Sequence, residues 1–175
     1  MPLARFIALS LLTATMLSGC ASLDNEAGHS LTLSILATDD VHGELQADDN
    51  RGGLVSVSGY VNALRSAHGP ENVLLIDAGD MWQGSIESNL NEGAAVVQAY
   101  NAMDYAAAAI GNHEFDFGPV GSRVTAAEPG DDSRGALKQR ASEARFPLLA
   151  ANIFDASSAM LTKAAGHASK LQWWQ

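Results

Sequence analysis

The sequence is poor in cysteine, in basic residues and in long apolar runs. One cysteine among 175 residues leaves no partner for a disulfide within the chain. Lysine and arginine number 10 against 20 aspartate and glutamate residues, which gives a formal net charge of −10. A nucleic-acid polymer requires a basic surface, so we do not expect such a polymer as a partner. A small phosphorylated substrate is still compatible with this charge, because bound metal ions would dominate the local field.

The remaining composition is that of a folded domain. Hydrophobic residues make up 47% of the chain and charged residues 17%, which is unlike the composition of a disordered protein. A chain of this length can bury one substantial core. With no disulfide available, burial and bound metal are the means by which this domain would be held together.

The N-terminal segment has the pattern of an export signal. A short basic start precedes residues 6–17, an apolar run too short to cross a bilayer, which takes about 20 residues. Leu17-Ser18-Gly19-Cys20 follows and resembles a bacterial lipobox. We therefore predict lipidation at Cys20 and anchoring to a bacterial membrane on its periplasmic or outer-surface side. The alternative is an ordinary signal peptide with an incidental cysteine. The predicted segments are a signal peptide, a flexible tether and one domain, at residues 1–19, 20–30 and 31–175.

Apolar runs and helical periodicity alternate along the rest of the chain. Runs bounded by turn residues predict strands at residues 31–38, 73–76, 105–110 and 146–153. For residues 105–110, a buried helix segment is the alternative. Apolar residues at helical spacing predict helices at residues 54–67, 92–103 and about 137–144. This alternation is typical of an α/β fold with a parallel sheet and right-handed crossovers.

Polar residues follow three of these strands where each strand ends. Asp40 and His42 come after the first, Asp80 after the second, and Asn112 with His113 after the third. The three groups lie about 30–40 residues apart, which suits one strand–helix–strand unit between neighbours. Because the carboxyl ends of parallel strands share one edge of a sheet, these side chains are expected to meet there.

Oxygen and imidazole ligands without thiolate suit Zn, Mn, Fe, Co or Ni. A carboxylate such as Asp80, placed between two groups, can bridge two cations. A two-metal site lowers the pKa of bound water and stabilises both oxygens of an in-line phosphoryl displacement. A histidine that is not a ligand can then protonate the leaving alkoxide. The pattern therefore favours phosphoester hydrolysis.

Four motifs resemble those of the calcineurin-like metallophosphoesterases, and more narrowly their exported 5′-nucleotidase/2′,3′-cyclic phosphodiesterase branch. They are Thr38-Asp39-Asp40-Val41-His42-Gly43, Asp77-Ala78-Gly79-Asp80 continuing to Ser85, Gly111-Asn112-His113-Glu114-Phe115-Asp116, and Ala150-Ala151-Asn152-Ile153. The resemblance covers residues 31 to about 155. It implies an α/β fold that is the N-terminal part of a metallophosphoesterase β-sandwich flanked by helices.

The resemblance also implies a role for each site residue. Asp40 and His42 would bind one divalent metal ion, Asp80 would bridge, and Asn112 would bind the second ion. His113 would be the catalytic imidazole. Asp116 would orient it, since an adjacent carboxylate fixes the tautomer of an imidazole and stabilises its charged form. The implied cofactors are two divalent ions, Zn, Mn or similar, and the implied substrate is a nucleotide or another small phosphoester.

The end of the chain departs from this family. The family completes its site with histidines well downstream, whereas this sequence stops at residue 175 and offers only Gly166-His167, which we do not interpret as a ligand. We therefore expect a truncated N-terminal part of a longer enzyme, unstable and nearly inactive by itself. Two alternatives to a nucleotide hydrolase are an inactive metal-binding lipoprotein remnant and a lipoprotein that binds carbohydrate or peptidoglycan.

Overall fold

A computed structural model of the chain describes residues 31–150. All the helices and strands of the described residues belong to one compact unit, which begins at Leu33. The predicted lipidation site Cys20, the tether, Asn152 and His167 lie outside the described residues.

Helices and strands alternate as the sequence predicts. The elements are β1 (Ser34–Thr38), α1 (Gly53–His68), β2 (Val73–Asp77), α2 (Ile86–Asn89), α3 (Ala94–Ala102), β3 (Ala107–Ala109), α4 (Gly135–Glu143) and β4 (Leu148–Leu149). Two 3₁₀ turns, Pro70–Asn72 and His113–Phe115, complete the regular structure of this region. Between residues 31 and 150, no helix combines the length and apolar character that a membrane crossing requires. The helix α2 was not predicted from the sequence, because four residues are too few to show a helical period.

The four strands form one parallel sheet in the order β1-β2-β3-β4. With this order, right-handed crossovers place every connecting helix on the same face of the sheet. Burial alternates accordingly along β2, where Val73 and Leu75 are buried and Leu74 is 36% exposed. The predicted α/β class with a parallel sheet is therefore confirmed.

The core fills the space between this face and the helices. Leu75 of β2 and Ala108 of β3 are fully covered, and Trp82 is buried in the loop that follows β2. Burying a large apolar side chain contributes about 1.5–3 kcal/mol. The helices contribute further core residues, among them Val61, Val96, Val97, Tyr100 and Leu137.

The opposite face of the sheet is apolar and largely uncovered. Ile35 of β1 is 62% exposed and lies beside Leu74 of β2 in the parallel register. A continuous apolar run such as residues 73–76 is typical of a parallel strand buried on both faces, whereas the described residues cover only one face of β2. No residue between 31 and 150 forms a second sheet that would cover this face.

Candidate metal centre

Three loops at the carboxyl edge of the sheet run side by side. The first two are joined by backbone hydrogen bonds that continue the pairing of β1 with β2. The amide of Asp40 donates to the carbonyl of Gly79 at 3.2 Å, and that of His42 to the carbonyl of Asp80 at 3.0 Å. The amide of Gly43 then donates to the carbonyl of Met81 at 2.8 Å. These bonds fix the position of His42 relative to Asp80.

One side chain from each loop reaches a common point. The ligand atoms of His42, Asp80 and His113 all lie within 4.8 Å of one another, and all three residues are half-buried. The two imidazole rings meet edge to face with centroids 4.9 Å apart. We call His42, Asp80, His113 and the neighbouring Asp116 the outer cluster.

Two further predicted ligands lie nearby and do not belong to this three-residue group. Asp40 is exposed to solvent. Asn112 is also exposed, and its backbone carbonyl accepts a hydrogen bond from the amide of Phe115 at 3.2 Å in the 3₁₀ turn. Their ligand roles therefore stay predictions.

The backbone of the site residues adopts an unusual conformation. Asp40, His42 and Asp80 have φ angles of 51°, 49° and 56°, in the left-handed region that side chains other than glycine rarely occupy. Such conformations cost about 1–3 kcal/mol each and persist only where the surrounding structure imposes them. Here the backbone hydrogen bonds between the loops impose them.

Two glycines permit the close approach of the second and third loops. A Cβ atom on Gly111 would lie 2.2 Å from the Oδ1 atom of Asp80, and one on Gly79 would lie 2.9 Å from the amide nitrogen of Gly111. Gly79 also has a φ angle of 114°. Any larger residue at either position would push Asp80 and His113 apart.

The hydrogen bonds of the outer cluster leave ligand atoms unused. His42 places its Nδ1 atom 2.8 Å from the carbonyl of Gln83. Because a carbonyl only accepts, Nδ1 carries the proton and Nε2 presents a lone pair, which is the tautomer that a metal ligand needs. The Oδ1 atom of Asp80 accepts the amide of His113 at 2.9 Å, while Oδ2 is left for an ion.

His113 and Asp116 form a pair at the surface. The Nδ1 atom of His113 lies 2.5 Å from the Oδ2 atom of Asp116, and their side chains are 33% and 40% exposed. The hydrogen bond to Asp116 raises the pKa of His113 above its ordinary value, helped by the negative charges of Asp116, Asp80 and Glu114. This contact is the one expected of an orienting carboxylate.

Beneath the outer cluster lies Glu114, which the sequence analysis did not single out. Its side chain is buried, and its two oxygens accept the backbone amides of Asp80, Met81 and Gly111. Burial raises the pKa of Glu114, and the three amides oppose this shift. Only its place inside the motif of residues 111–116 could have drawn attention to it.

Asp77, at the end of β2, is a second buried carboxylate. It accepts hydrogen bonds from the hydroxyl groups of Thr38 at 2.5 Å and Tyr100 at 2.7 Å, and from the amide of Gly79 at 2.8 Å. Burial is the main cause of the raised pKa of Asp77. Tyr105 stacks on Tyr100 at 3.9 Å and bonds to Thr38. We call Asp77 and Glu114 the inner carboxylates.

The residues present fit a divalent transition metal. Two imidazoles and a carboxylate converge, and the group holds no thiolate. This donor set suits Zn, Mn, Fe, Co or Ni.

Comparisons with known proteins agree with this chemistry. No model of a known protein family matches the chain. The snake venom 5′-nucleotidase of Crotalus adamanteus is 37% identical over 144 residues, which cover 77% of this chain and 22% of that protein. The human 5′-nucleotidase is 35% identical over 151 residues, which cover 80% of this chain and 24% of that protein. The chain is homologous to the N-terminal part of the 5′-nucleotidases.

The fold is similar to that of a calcineurin-like phosphoesterase. The calcineurin-like phosphoesterase YfkN from Bacillus subtilis superposes with a TM-score of 0.55 at 26% identity, over 71% of this chain and 38% of that one. The predicted relationship to this group of hydrolases is therefore confirmed. The chain spans about a quarter of the length of the two 5′-nucleotidases described above.

Proposed function

We propose that this chain provides the metal-binding part of a metal-dependent phosphoester hydrolase that acts on nucleotides. The observation that carries the proposal is the convergence of His42, Asp80 and His113 from three strand ends, with ligand atoms within 4.8 Å of one another. Homology to 5′-nucleotidases supports both the reaction class and the nucleotide substrate.

The ligands that we assign come from all three loops. Asp40 and His42 would hold one ion, Asp80 would serve both, and Asn112 would hold the second ion. The free Nε2 atom of His42 and the free Oδ2 atom of Asp80 support two of these assignments. When bound at these residues, two divalent ions would supply a hydroxide near neutral pH and would stabilise negative charge on the phosphoryl oxygens.

His113 is proposed to deliver the proton that the leaving alkoxide requires. Asp116 binds its Nδ1 atom, which leaves Nε2 as the donor. The raised pKa of His113 keeps more of the imidazole protonated near neutral pH, as a proton donor requires. Because the ligand atoms of His113 also lie near His42 and Asp80, a role as a third ligand is the competing assignment.

Metal binding and hydrolysis test the proposal. We expect the purified chain to bind Mn²⁺ or Zn²⁺. We further expect the protein to release phosphate from AMP and to cleave bis(p-nitrophenyl) phosphate. A chelator should abolish both activities. Since the relatives are about four times as long, turnover is measured on the longest form that the gene encodes.

Two results would replace this proposal. Bound metal without hydrolysis of either phosphoester would favour an inactive metal-binding lipoprotein. Retention of the protein on peptidoglycan, with no metal bound, would favour a cell-wall-binding lipoprotein.

The membrane association of the protein is part of the same proposal. The lipobox-like Leu17-Ser18-Gly19-Cys20 supports export and lipidation at Cys20. A single acyl chain binds membranes only marginally, so stable anchoring needs more than one. Labelling with a fatty-acid probe should mark the wild type and not Cys20→Ser, and equal labelling or equal membrane fractionation of the two would contradict the anchor.

A further inference from the structure

We infer that Glu114 is a positioning residue of the proposed metal centre. Its carboxylate locks the loop that carries Asp80 to the loop that carries His113. The inference rests on the proposed function, because the geometry it explains is that of the proposed ligands.

Three backbone amides from two loops converge on this one side chain. The Oε2 atom of Glu114 accepts the amide of Asp80 at 2.9 Å and that of Gly111 at 2.6 Å. Its Oε1 atom accepts the amide of Met81 at 2.7 Å. The second loop returns the contact, since the Oδ1 atom of Asp80 accepts the amide of His113 at 2.9 Å. As His113 and Glu114 are neighbours in sequence, these hydrogen bonds connect the two loops in both directions.

Only a carboxylate satisfies these amides. It offers two oxygens that both accept, whereas a glutamine would turn an NH₂ donor towards one of the donating amides. Hydrogen bonds to an ionised acceptor are also about twice as strong as neutral ones. Glu114 is 1% exposed. Burying a carboxylate costs more free energy than burying an apolar side chain of similar size. Packing alone therefore does not account for it.

These hydrogen bonds between the two loops determine where the carboxylate of Asp80 points. The amide of Asp80 is held by Glu114, its carbonyl by the amide of His42, and its Oδ1 atom by the amide of His113. These bonds keep Asp80 at a φ angle of 56°. Shortening the side chain at position 114 by one methylene would withdraw the acceptor from the Asp80 amide. We expect the contact between Asp80 and His113 to loosen as a consequence.

Amide hydrogen exchange in the metal-free chain tests whether the Glu114 carboxylate holds the two loops together. In Glu114→Gln and Glu114→Asp, the amides of Asp80, Met81 and Gly111 should exchange about 10–100-fold faster, as expected for loss of a hydrogen bond to a charged group. The amide of His113, which Glu114 does not contact, should also exchange faster because Asp80 has moved. The amide of Ala106, bonded to the carbonyl of Leu75 at 2.7 Å in the sheet, should not change.

Metal affinity tests the consequence. Titration with Mn²⁺ should show binding about 10–100-fold weaker in both variants, the usual effect of removing a partner that orients a ligand. Arg140→Gln is the matched control. Arg140 is 4% exposed and donates to the carbonyl of Asn91 at 2.6 Å, so its loss destabilises the fold without removing a hydrogen bond between the two loops.

The two measurements separate the possible failures. Wild-type exchange of the His113 amide and wild-type Mn²⁺ affinity in folded Glu114 variants would overturn the inference, as would an equal loss of affinity in Arg140→Gln. If Glu114→Gln does not fold, Glu114→Asp decides, because it keeps the charge and moves only the oxygens. If the wild-type chain binds no Mn²⁺, the proposed function fails, and hydrogen exchange still decides the role of Glu114.

Discussion

The outer cluster and the inner carboxylates use the same residue types for opposite tasks. Asp116 is an acid with a 40% exposed side chain, and its partner is an imidazole. Glu114, two positions earlier, is 1% exposed, and its partners are backbone amides of two loops. Asp116 faces the solvent and pairs with a titratable group, whereas Glu114 faces the protein interior and holds the backbone of two loops.

The geometry of one short turn produces this division. His113–Phe115 is a 3₁₀ turn, in which successive side chains point about 120° apart. His113 therefore faces the other loops at the surface while Glu114 enters the interior. The difference teaches that a motif rich in ligand-type residues contains two kinds of residue. Some face the candidate site, and others hold the backbone of the loops around it. Four substitutions test the comparison, from the largest expected effect to the smallest.

Removing the shared ligand of the outer cluster should have the largest effect. We expect Asp80→Ala to lose all bound metal and all metal-dependent turnover, because Asp80 is assigned to both ions. Metal content measured by mass spectrometry checks this. Asp104→Ala is the control, since Asp104 is an exposed aspartate with a similar φ angle of 54° outside the group of candidate ligands. Normal metal content in Asp80→Ala would remove the basis of the proposed site.

The proposed proton donor should affect turnover and not metal. His113→Asn should lower turnover by about 10²–10⁴-fold, the usual range for a general acid, and leave metal content close to that of the wild type. Steady-state kinetics and metal analysis of the same preparation measure both. If metal is lost as fully as in Asp80→Ala, His113 is a ligand and the assigned roles are wrong.

Removing one donor to an inner carboxylate should change stability and leave metal binding intact. Tyr100→Phe deletes the hydroxyl group that donates to Asp77 at 2.7 Å, which should cost about 1.5–3 kcal/mol in the free energy of unfolding. Urea denaturation measures this cost. Tyr60→Phe, at a 62% exposed position, should cost almost nothing. An unchanged stability of Tyr100→Phe, or a large fall in Mn²⁺ affinity, would contradict the division between the two layers.

The smallest effect concerns the charge on His113. Its pKa is raised above 6.5 chiefly by the hydrogen bond to Asp116, so the folded chain binds this proton more tightly than the unfolded chain does. The resulting stabilisation is complete below about pH 6.5 and is lost as the pH rises through the raised pKa. NMR titration of the metal-free chain should give a midpoint above 6.5 and a lower one in Asp116→Asn. Equal midpoints would show that the pair is not formed in solution.

The sequence predicted that candidate ligands meet at one edge of the sheet, because this signal lies in the order of the chain. Each group of ligand-type residues directly follows an apolar run, and parallel strands bring such positions to one edge. The structure places His42, Asp80 and His113 together there. The contact between His113 and Asp116 was expected from the family resemblance, and it spans only three positions within one turn.

What the sequence did not provide depends on three-dimensional surroundings. The role of Glu114 arises from amides 33 and 34 positions away in the chain, which no local pattern encodes. The exposure of Ile35 and Leu74 likewise depends on which layer lies over the sheet. An apolar strand sequence indicates that both faces of the strand can be covered. It does not indicate which part of the protein covers them.

The left-handed backbone of the site also bears on how such a chain evolves. At Asp40, whose φ angle is 51°, glycine would adopt the same conformation without steric cost. The folding reaction therefore gives no reason to keep an aspartate there, and the ligand role that we propose for Asp40 would supply one. A gene copy released from selection for activity could exchange Asp40 for glycine without harm to its fold. This backbone geometry therefore favours descendants that keep the fold and lack activity.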